Sequence, residues 1–158
     1  MIETQVALYV HPEFGRLQLH FQNEALVQVD LPFKPAYEGH FRELPPEWQH
    51  KLDDYFTGRL QDFGCPVSPM GTAHDIKVWQ AMVAIPYGQT RTYGDIAKEI
   101  GSAAQAVGNA CGRNPLPIII PCHRIVGSAG IGGFSGSRGD ETVSTKQWLL
   151  QHERAHAH

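Results

Sequence analysis

A cysteine, a histidine and an arginine follow one another at Cys122, His123 and Arg124, directly after the apolar run "PLPIII" and a proline. A cysteine attacks an electrophile as its thiolate, so it needs a base or a positive charge close by. The isoleucines at 118–120 predict a short buried strand of β-branched residues, which Pro121 ends because proline has no N–H to donate. The pattern therefore predicts a nucleophilic thiol at the exit of a rigid, apolar strand.

The spacing of this cysteine and histidine decides how a proton can pass between them. Consecutive side chains on extended backbone point to opposite faces, so a direct hydrogen bond between Cys122 and His123 is unfavourable. Relay through one water molecule is the arrangement that we expect. A base also needs a third group to orient it, and Glu153 near the C-terminus is the candidate. The alternative is a buried, inert cysteine beside a capping histidine, and on these residues alone that alternative is favoured.

Helix signals surround the cysteine and predict a mainly helical C-terminal half. Thr72 is a predicted N-cap for a helix through "HDIKVWQAMVAI", and Thr92 is one for the short helix "YGDIAKEI". Gly101 ends that helix, and Ser102 is the predicted cap of the next, "AAQAVGNACG". Ser144 is the predicted cap of a last helix. Two short helices around a glycine turn predict a helix-turn-helix. The small side chains of its second helix suit packing against another helix or a nucleic-acid groove, and the pattern leaves both open.

The N-terminal half supplies a different set of elements. "TQVALYVHPEFGRLQLHFQNEALVQVDL" predicts two or three strands joined by turns, and "PPEWQHKLDDYFTG" has apolar residues at helical spacing followed by a glycine. The segment "DFGCPVSPMGT" is rich in proline, glycine and serine, which is typical of a linker. We therefore predict a mixed α/β (α+β) protein with domains at 1–66 and 67–158.

Composition and charge limit the classes of function. The chain has 158 residues, 42% of them hydrophobic and 18% charged, with a formal net charge of −3. Up to Gln89 there are six bases and eleven acids, and from Thr90 onward seven bases and five acids, so the working half is mildly basic. No apolar run reaches membrane-spanning length. Three irregularly spaced cysteines argue against a disulfide framework, and we expect a cytoplasmic protein without a membrane partner.

The C-terminal half resembles the O6-alkylguanine-DNA alkyltransferases, also called methylated-DNA–protein-cysteine methyltransferases. The resemblance covers Gly71 to Glu153 and rests on "AVGNACGRNPLPIII", "IPCHRIVG", "GGFSG" and "KQWLLQHE". For the fold it implies a small ribonuclease-H-like αβ domain followed by a helical, winged-helix-like domain with a helix-turn-helix. For the function it implies suicidal DNA repair, in which O6-alkylguanine is flipped out of duplex DNA and its alkyl group passes irreversibly to the cysteine.

The resemblance also implies a role for each matching residue. Cys122 is the alkyl acceptor, His123 is the base that acts through water, and Glu153 orients that base. Asn114 braces the active-site loop, and Tyr93 donates to the guanine as it leaves. The residues implied to bind the base or the DNA are Gln105, Ser135, Phe134, Arg124, Ile125, Thr92, Ala104, Gly108 and Arg113.

One position departs from the family pattern. The family usually carries an arginine on the recognition helix that fills the space of the flipped base, and this chain has Gln105 there. Glutamine can insert and hydrogen-bond, but it brings no charge. The expected partner is double-stranded DNA with O6-alkylguanine, with O4-alkylthymine as a second candidate lesion, and the chain is expected to act as a monomer without a cofactor.

Three further readings of the sequence stay open beside this one. The first is an alkyltransferase-like protein that only flags lesions, whose hallmark is loss of the acceptor cysteine, whereas Cys122 is present. The second is a Cys-His-Glu hydrolase of small acyl or amide substrates. The third is a metal site, for which the spacing fits no tight four-ligand set, so we expect no metal; the residues concerned are Cys65, His74, His152, His156 and His158.

Overall fold

The structure is a computed structural model, and it describes residues 4–63, 69–128 and 140–157, without the side chain of Asp140. The chain separates into two compact units, Met1–Ser68 and Pro69–His158. Helices and strands occur in both, and the predicted mixed α and β class is confirmed. Among the described residues, no helix combines the length and the apolar character that crossing a bilayer requires.

The first unit is built on an antiparallel meander of three strands. Strands β1 (Gln5–His11), β2 (Gly15–Gln22) and β3 (Ala25–Asp30) lie in the order β1-β2-β3. β1 is apolar from Val6 to Val10, with Val6, Ala7 and Tyr9 buried, and the buried residues of β3 are Leu26 and Val29. Helix α1 (Pro46–Phe56) follows, and its buried residues are the four apolar ones of the predicted helical face: Trp48, Leu52, Tyr55 and Phe56.

The second unit holds the helix-turn-helix and the cysteine loop. Its elements are α2 (Ala73–Val83), β4 (Arg91–Thr92), α3 (Tyr93–Ile100), α4 (Ala104–Gly112), β5 (Ile125–Val126) and α5 (Asp140–His156). Thr72 and Thr92 cap α2 and α3 as predicted, each accepting from the backbone N–H of an aspartate three residues on. Gly101 ends α3 in the left-handed conformation, with φ at +69°. The α3–α4 pair therefore forms the predicted helix-turn-helix.

Two predicted caps are wrong. Ser102 does not cap α4, because the N-cap position is Ala103 and the Ser102 hydroxyl instead bonds the Nε2 atom of His74 at 2.8 Å. Ser144 lies inside α5, which begins at Asp140.

Candidate active site

The loop that precedes Cys122 is a buried turn closed by one side chain. Asn114 donates from Nδ2 to the carbonyl of Ile120 at 2.9 Å and accepts at Oδ1 from the N–H of Leu116, also at 2.9 Å. The N–H of Ile120 also donates to the carbonyl of Leu116 at 2.8 Å. These bonds satisfy polar backbone groups that would otherwise be buried without partners. The amide of Asn114 is therefore the clamp of the loop.

The prediction of a strand at the three isoleucines is wrong. Ile118 has a positive φ of 76°, and the segment forms a turn with one isolated bridge between Pro117 and Ile120. The side chains are nevertheless buried, at 1% exposure for Ile118 and 2% for Ile120. Burial explains the β-branched pattern, while the prolines at 115, 117 and 121 lack the N–H groups that a strand ladder needs. Apolarity alone could not distinguish a buried strand from a buried turn.

Cys122 opens a single 3₁₀ turn, Cys122–Arg124, so the expected extended backbone is also wrong. The Cys122 N–H donates to the carbonyl of Ile120, and the Arg124 N–H donates to that of Pro121. One 3₁₀ residue rotates the chain by about 120°, so neighbouring side chains still diverge. The thiol is only 3% exposed.

His123 and Glu153 form a fully buried pair. The Nε2 atom of His123 lies 2.6 Å from Oε2 of Glu153, and the two side chains are 0% and 1% exposed. A carboxylate can only accept, so Nε2 carries the proton and Nδ1 keeps its lone pair. Nδ1 is buried and has no hydrogen-bond partner among the described residues. The pair thus presents an oriented imidazole with a free basic nitrogen beside the cysteine turn.

Burial and charge set the protonation of this pair. Burial lowers the pKa of His123 below its usual value, although the negative charge of Glu153 opposes the shift. Burial alone would raise the pKa of Glu153, but the charge and hydrogen bond of His123 and the hydrogen bonds of Arg124 hold it well below its usual value. At neutral pH the carboxyl is therefore ionised and the imidazole is neutral, as a general base requires.

Arg124 lies inside the molecule and supports the carboxylate. Its Nε donates to Oε1 of Glu153 at 2.8 Å, Nη2 donates to Oε2 at 3.1 Å, and Nη1 donates to the carbonyl of Ile85 at 2.8 Å. Its guanidinium also lies over the ring of Tyr87, 5.6 Å from the centroid. The prediction that Arg124 binds DNA or substrate gains no support from this placement, because these donors already have protein partners.

The thiol of Cys122 rests in its neutral form. Burial raises its pKa to about 11, while a hydrogen bond from Asn114 and the positive charge of Lys146 act in the opposite direction. A thiol with this pKa is almost entirely protonated at pH 7. Its proton must therefore leave during the reaction, which makes the free nitrogen of His123 chemically relevant.

Lys146 is the residue of this cluster that the sequence analysis missed. Its side chain is 0% exposed, and its Nζ donates to the carbonyl of Ile125 at 2.6 Å. The same nitrogen lies 5.8 Å from the centroid of the Tyr93 ring. A signal was present: Lys146 precedes Glu153 by seven residues, which places both on one face of a helix. A buried lysine is rare unless it is paired, and this one brings a cation to the thiol.

Two short strands hold Tyr93 near the cysteine turn. β4 pairs in parallel with β5, with Arg91 opposite Ile125 and Thr92 opposite Val126. This pairing places Ile125, directly after the cysteine turn, next to the start of α3. The side chain of Thr92, predicted to bind DNA or base, accepts from the N–H of Asp95 and so serves as a helix cap.

Helix α4 presents small and polar residues to the solvent. Ala104 and Gln105 are exposed, whereas Val107, Ala110 and Cys111 are buried. The exposed Asn109 follows Gln105 by four residues, on the same face. Gly108 is half-buried, and a Cβ atom at that position would lie 3.9 Å from Cε1 of Tyr93, an ordinary contact.

The remaining predicted residues are placed as follows. Arg113, at the end of α4, donates from Nε and Nη2 to the carboxylate of Asp75. Cys111 is buried, and burial raises the pKa of its thiol well above the usual value. Phe134, Ser135 and Cys65 lie outside the described residues. Within the part of the chain that the structure describes, no three His, Cys, Asp or Glu side chains cluster as metal ligands.

Known proteins share this arrangement of sequence and fold. Residues 73–155 match the family profile described as "6-O-methylguanine DNA methyltransferase, DNA binding domain". The methylated-DNA–protein-cysteine methyltransferase of Mycobacterium leprae is 43% identical over 134 residues, which cover 82% of this chain and 78% of the relative. The chain belongs to the 6-O-methylguanine DNA methyltransferase family. The resemblance inferred from the sequence is thereby confirmed.

Solved structures of the family agree over nearly the whole chain. The crystal structure of the Mycobacterium tuberculosis O6-methylguanine methyltransferase has a TM-score of 0.84 and 32% identity, and the match covers 99% of this chain and 96% of that one. The protein of the same organism crystallised in complex with DNA has a TM-score of 0.81 and 33% identity, covering 97% and 94%. The fold of this family is therefore one in which a DNA complex has been observed.

Proposed function

We propose that this protein repairs DNA by transferring the alkyl group of O6-alkylguanine to the Sγ atom of Cys122. The observation that carries the proposal is the position of this thiol: on a loop clamped by Asn114 and next to a buried His123–Glu153 pair. Membership of the methyltransferase family supports the class of reaction, alkyl transfer from methylated DNA to a protein cysteine.

The first step of the mechanism is the removal of the proton from the Cys122 thiol. With a pKa of about 11, the Cys122 thiol is a weak nucleophile until it loses its proton. Nδ1 of His123 has the free lone pair, and a water molecule between it and Sγ would pass the proton. Glu153 holds Nε2–H and stabilises the imidazolium that forms, because its carboxylate remains ionised. Arg124 keeps the carboxylate in place.

The transfer itself is a displacement at the alkyl carbon. The sulfur–carbon bond forms as the bond from that carbon to guanine O6 breaks, and the electron pair of that bond stays on the base. The thiol proton goes to His123, and the guanine anion takes up one proton to become guanine. The Tyr93 hydroxyl is proposed to donate to the base as negative charge develops on it. The charge of Lys146, close to the Tyr93 ring, favours both the thiolate and the departing anion.

The product explains why each chain reacts once. A thioether has no acidic proton and is a poor leaving group, and no second nucleophile is proposed to remove the alkyl group. The protein is therefore a stoichiometric repair reagent, and no cofactor enters the proposed chemistry.

The DNA is proposed to lie against the α3–α4 pair. A close approach suits the exposed Ala104 of α4, and Gln105 is proposed to fill the gap left by the flipped base, with Gly108 and Ile125 near the base. The proposed division of labour is a supporting domain at 1–66 and a DNA-binding acceptor domain at 67–158. A monomeric state, a cytoplasmic location and activity on O4-alkylthymine are further parts of this proposal.

The decisive experiment is the intact mass of the protein after it is mixed with duplex DNA that carries one O6-methylguanine. We expect each chain to gain the mass of one methylene group, once, with peptide mapping placing it on Cys122. Unmodified duplex and Cys122→Ser are the controls, and both should show no gain. Modification spread over Cys65 and Cys111 would contradict the acceptor assignment, and repeated turnover on a thioester without DNA would favour a hydrolase.

A further inference from the structure

A buried carboxylate at the start of α2 holds the end of α4. Asp75 accepts Nε of Arg113 at 3.0 and 3.1 Å and Nη2 at 2.6 Å, which is a forked arrangement of the guanidinium on one carboxylate. The Asp75 side chain is only 3% exposed, whereas that of Arg113 is 51% exposed. The hydrogen bond from Arg113 is the largest cause of the lowered pKa of Asp75. This pair joins two helices that are 38 residues apart in sequence.

Arg113 stands at the junction between α4 and the acceptor loop. Its N–H donates to the carbonyl of Ala110, and the next N–H, of Asn114, donates to that of Cys111. The side chain of Asn114 then clamps the loop through Leu116 and Ile120, and it acts to lower the pKa of the Cys122 thiol that follows this loop. The ion pair therefore anchors the residue directly before the one that positions the thiol.

We propose that Asp75, acting through Arg113, is a positioning residue for the acceptor thiol. The ion pair fixes the C-terminal end of α4 and therefore the position of Asn114. The Asn114 amide in turn fixes the loop that carries the thiol. This inference rests on the proposed role of Cys122 in alkyl transfer. It gives Arg113 a function that differs from the DNA contact predicted from the sequence.

The two roles of Arg113 differ in what they affect. A phosphate contact acts only when DNA is bound, and its loss reduces the salt dependence of binding. A positioning role acts on the thiol itself, so its loss appears with a small substrate and without DNA. Free O6-benzylguanine is a suitable small substrate, because it carries the alkyl group and needs no base flipping.

The test uses the full chain as wild type, Asp75→Asn, Arg113→Gln and the double variant. Asparagine keeps the shape of Asp75 and can still accept from the N–H of Thr72, which spares the cap of α2. Single-turnover rates with free O6-benzylguanine should fall by about 10- to 100-fold in each single variant, because small displacements of reacting groups have effects of this size. The double variant should be no slower than either single one, since all three lose the same interaction.

A second readout does not depend on alkyl transfer. The pKa of the Cys122 thiol, measured from the pH dependence of its reaction with iodoacetamide, should rise in all three variants, because a displaced Asn114 no longer lowers it. The matched control is Glu99→Gln, which removes the ion pair of Arg91 and Glu99, 2.8 Å apart, on the surface of α3. This control should change neither the rate nor the thiol pKa.

These measurements distinguish a positioning role of Arg113 from a DNA contact. The variants could lose rate on duplex DNA alone, with normal rates on O6-benzylguanine and an unchanged thiol pKa. That result would overturn the inference and would favour a DNA contact for Arg113. Additive losses in the double variant would also overturn it. If Asp75→Asn fails to fold, Arg113→Lys should recover part of the rate lost in Arg113→Gln. A wild-type protein that transfers nothing would refute the proposed function, while the iodoacetamide measurement would still decide the positioning.

Discussion

Two histidine–carboxylate pairs in this molecule have nearly the same geometry and very different surroundings. In the first unit, Nε2 of His20 lies 2.8 Å from Oδ2 of Asp30, and the side chains are 17% and 18% exposed. In the second unit, the His123–Glu153 pair is 2.6 Å long and almost fully buried. Asp30 receives a further hydrogen bond from a neutral amide, that of Gln28, whereas Glu153 receives two from the charged Arg124.

The difference shows what makes a histidine–carboxylate pair suitable for a role in catalysis. Water partly screens the His20–Asp30 pair. Burial alone would raise the pKa of Asp30, but the hydrogen bonds of His20 and Gln28 lower it. The buried pair is not screened, so its members perturb each other strongly, and a residue with such a perturbed pKa in a cleft is typical of functional sites. Each pair joins a histidine to a carboxylate at hydrogen-bond distance, and burial together with the extra cation makes the difference.

The largest expected effect comes from breaking each pair on its carboxylate side. Glu153→Gln removes the charge that faces Arg124 and leaves that cation buried without its partner, so we expect a loss of about 3–5 kcal/mol in the free energy of unfolding. Asp30→Asn is the matched control and should cost about 1 kcal/mol or less. Urea denaturation followed by circular dichroism measures both. Equal losses in the two variants would remove the distinction drawn between the pairs.

The next effect separates the two histidines by chemistry. His123→Asn should lower the single-turnover rate of alkyl transfer at pH 7 by about 10²- to 10⁴-fold, the usual contribution of a general base. His20→Asn should leave the rate unchanged. Because only the thiolate reacts without a base, the rate of His123→Asn should rise about tenfold per pH unit below the thiol pKa of about 11. A pH profile equal to that of the wild type would mean that another group takes the proton.

The smallest effect concerns a site residue that is neither buried nor charged. Gln105→Arg should speed transfer from duplex DNA a few-fold and make it more sensitive to salt, because a cation near the phosphates adds attraction that glutamine lacks. Transfer from free O6-benzylguanine, which needs no flipping, should stay the same. Single-turnover rates at two salt concentrations test this, and equal effects on both substrates would assign Gln105 to the fold or the pocket.

Local signals in the sequence were sufficient for most of the elements. The caps Thr72 and Thr92, the stop at Gly101 and the buried face of α1 depend on residues within one or two turns of each other. Ser102 and Ser144 have the same cap chemistry and were wrongly predicted, because a distant histidine engages the first and helix α5 begins four residues before the second. A serine or threonine before a predicted helix becomes its N-cap only when no other partner competes for its hydroxyl group.

Contacts between distant residues were beyond the sequence pattern. The three isoleucines predicted burial correctly but not the turn, since the turn is imposed by the amide of Asn114. The link between Asp75 and Arg113 spans 38 residues and has no periodic signal. Lys146 could have been found from its helical spacing to Glu153, but a lysine near a C-terminal helix is usually solvated. The family resemblance implied the roles of Cys122, His123, Glu153 and Asn114. The structure adds the buried amine of Lys146 and the hydrogen-bond partners of the Asn114 amide.

The burial of the thiol also has a consequence for the lifetime of the unreacted protein. Oxidation by peroxide and exchange with small disulfides both require thiolate character and access to solvent. Cys122 is 3% exposed and holds its proton, so its reactions with diffusible oxidants are slow. In the proposed reaction the protein can be used only once, and any such side reaction would waste the molecule. Burial of the thiol therefore preserves the single reactive equivalent until a damaged base reaches it.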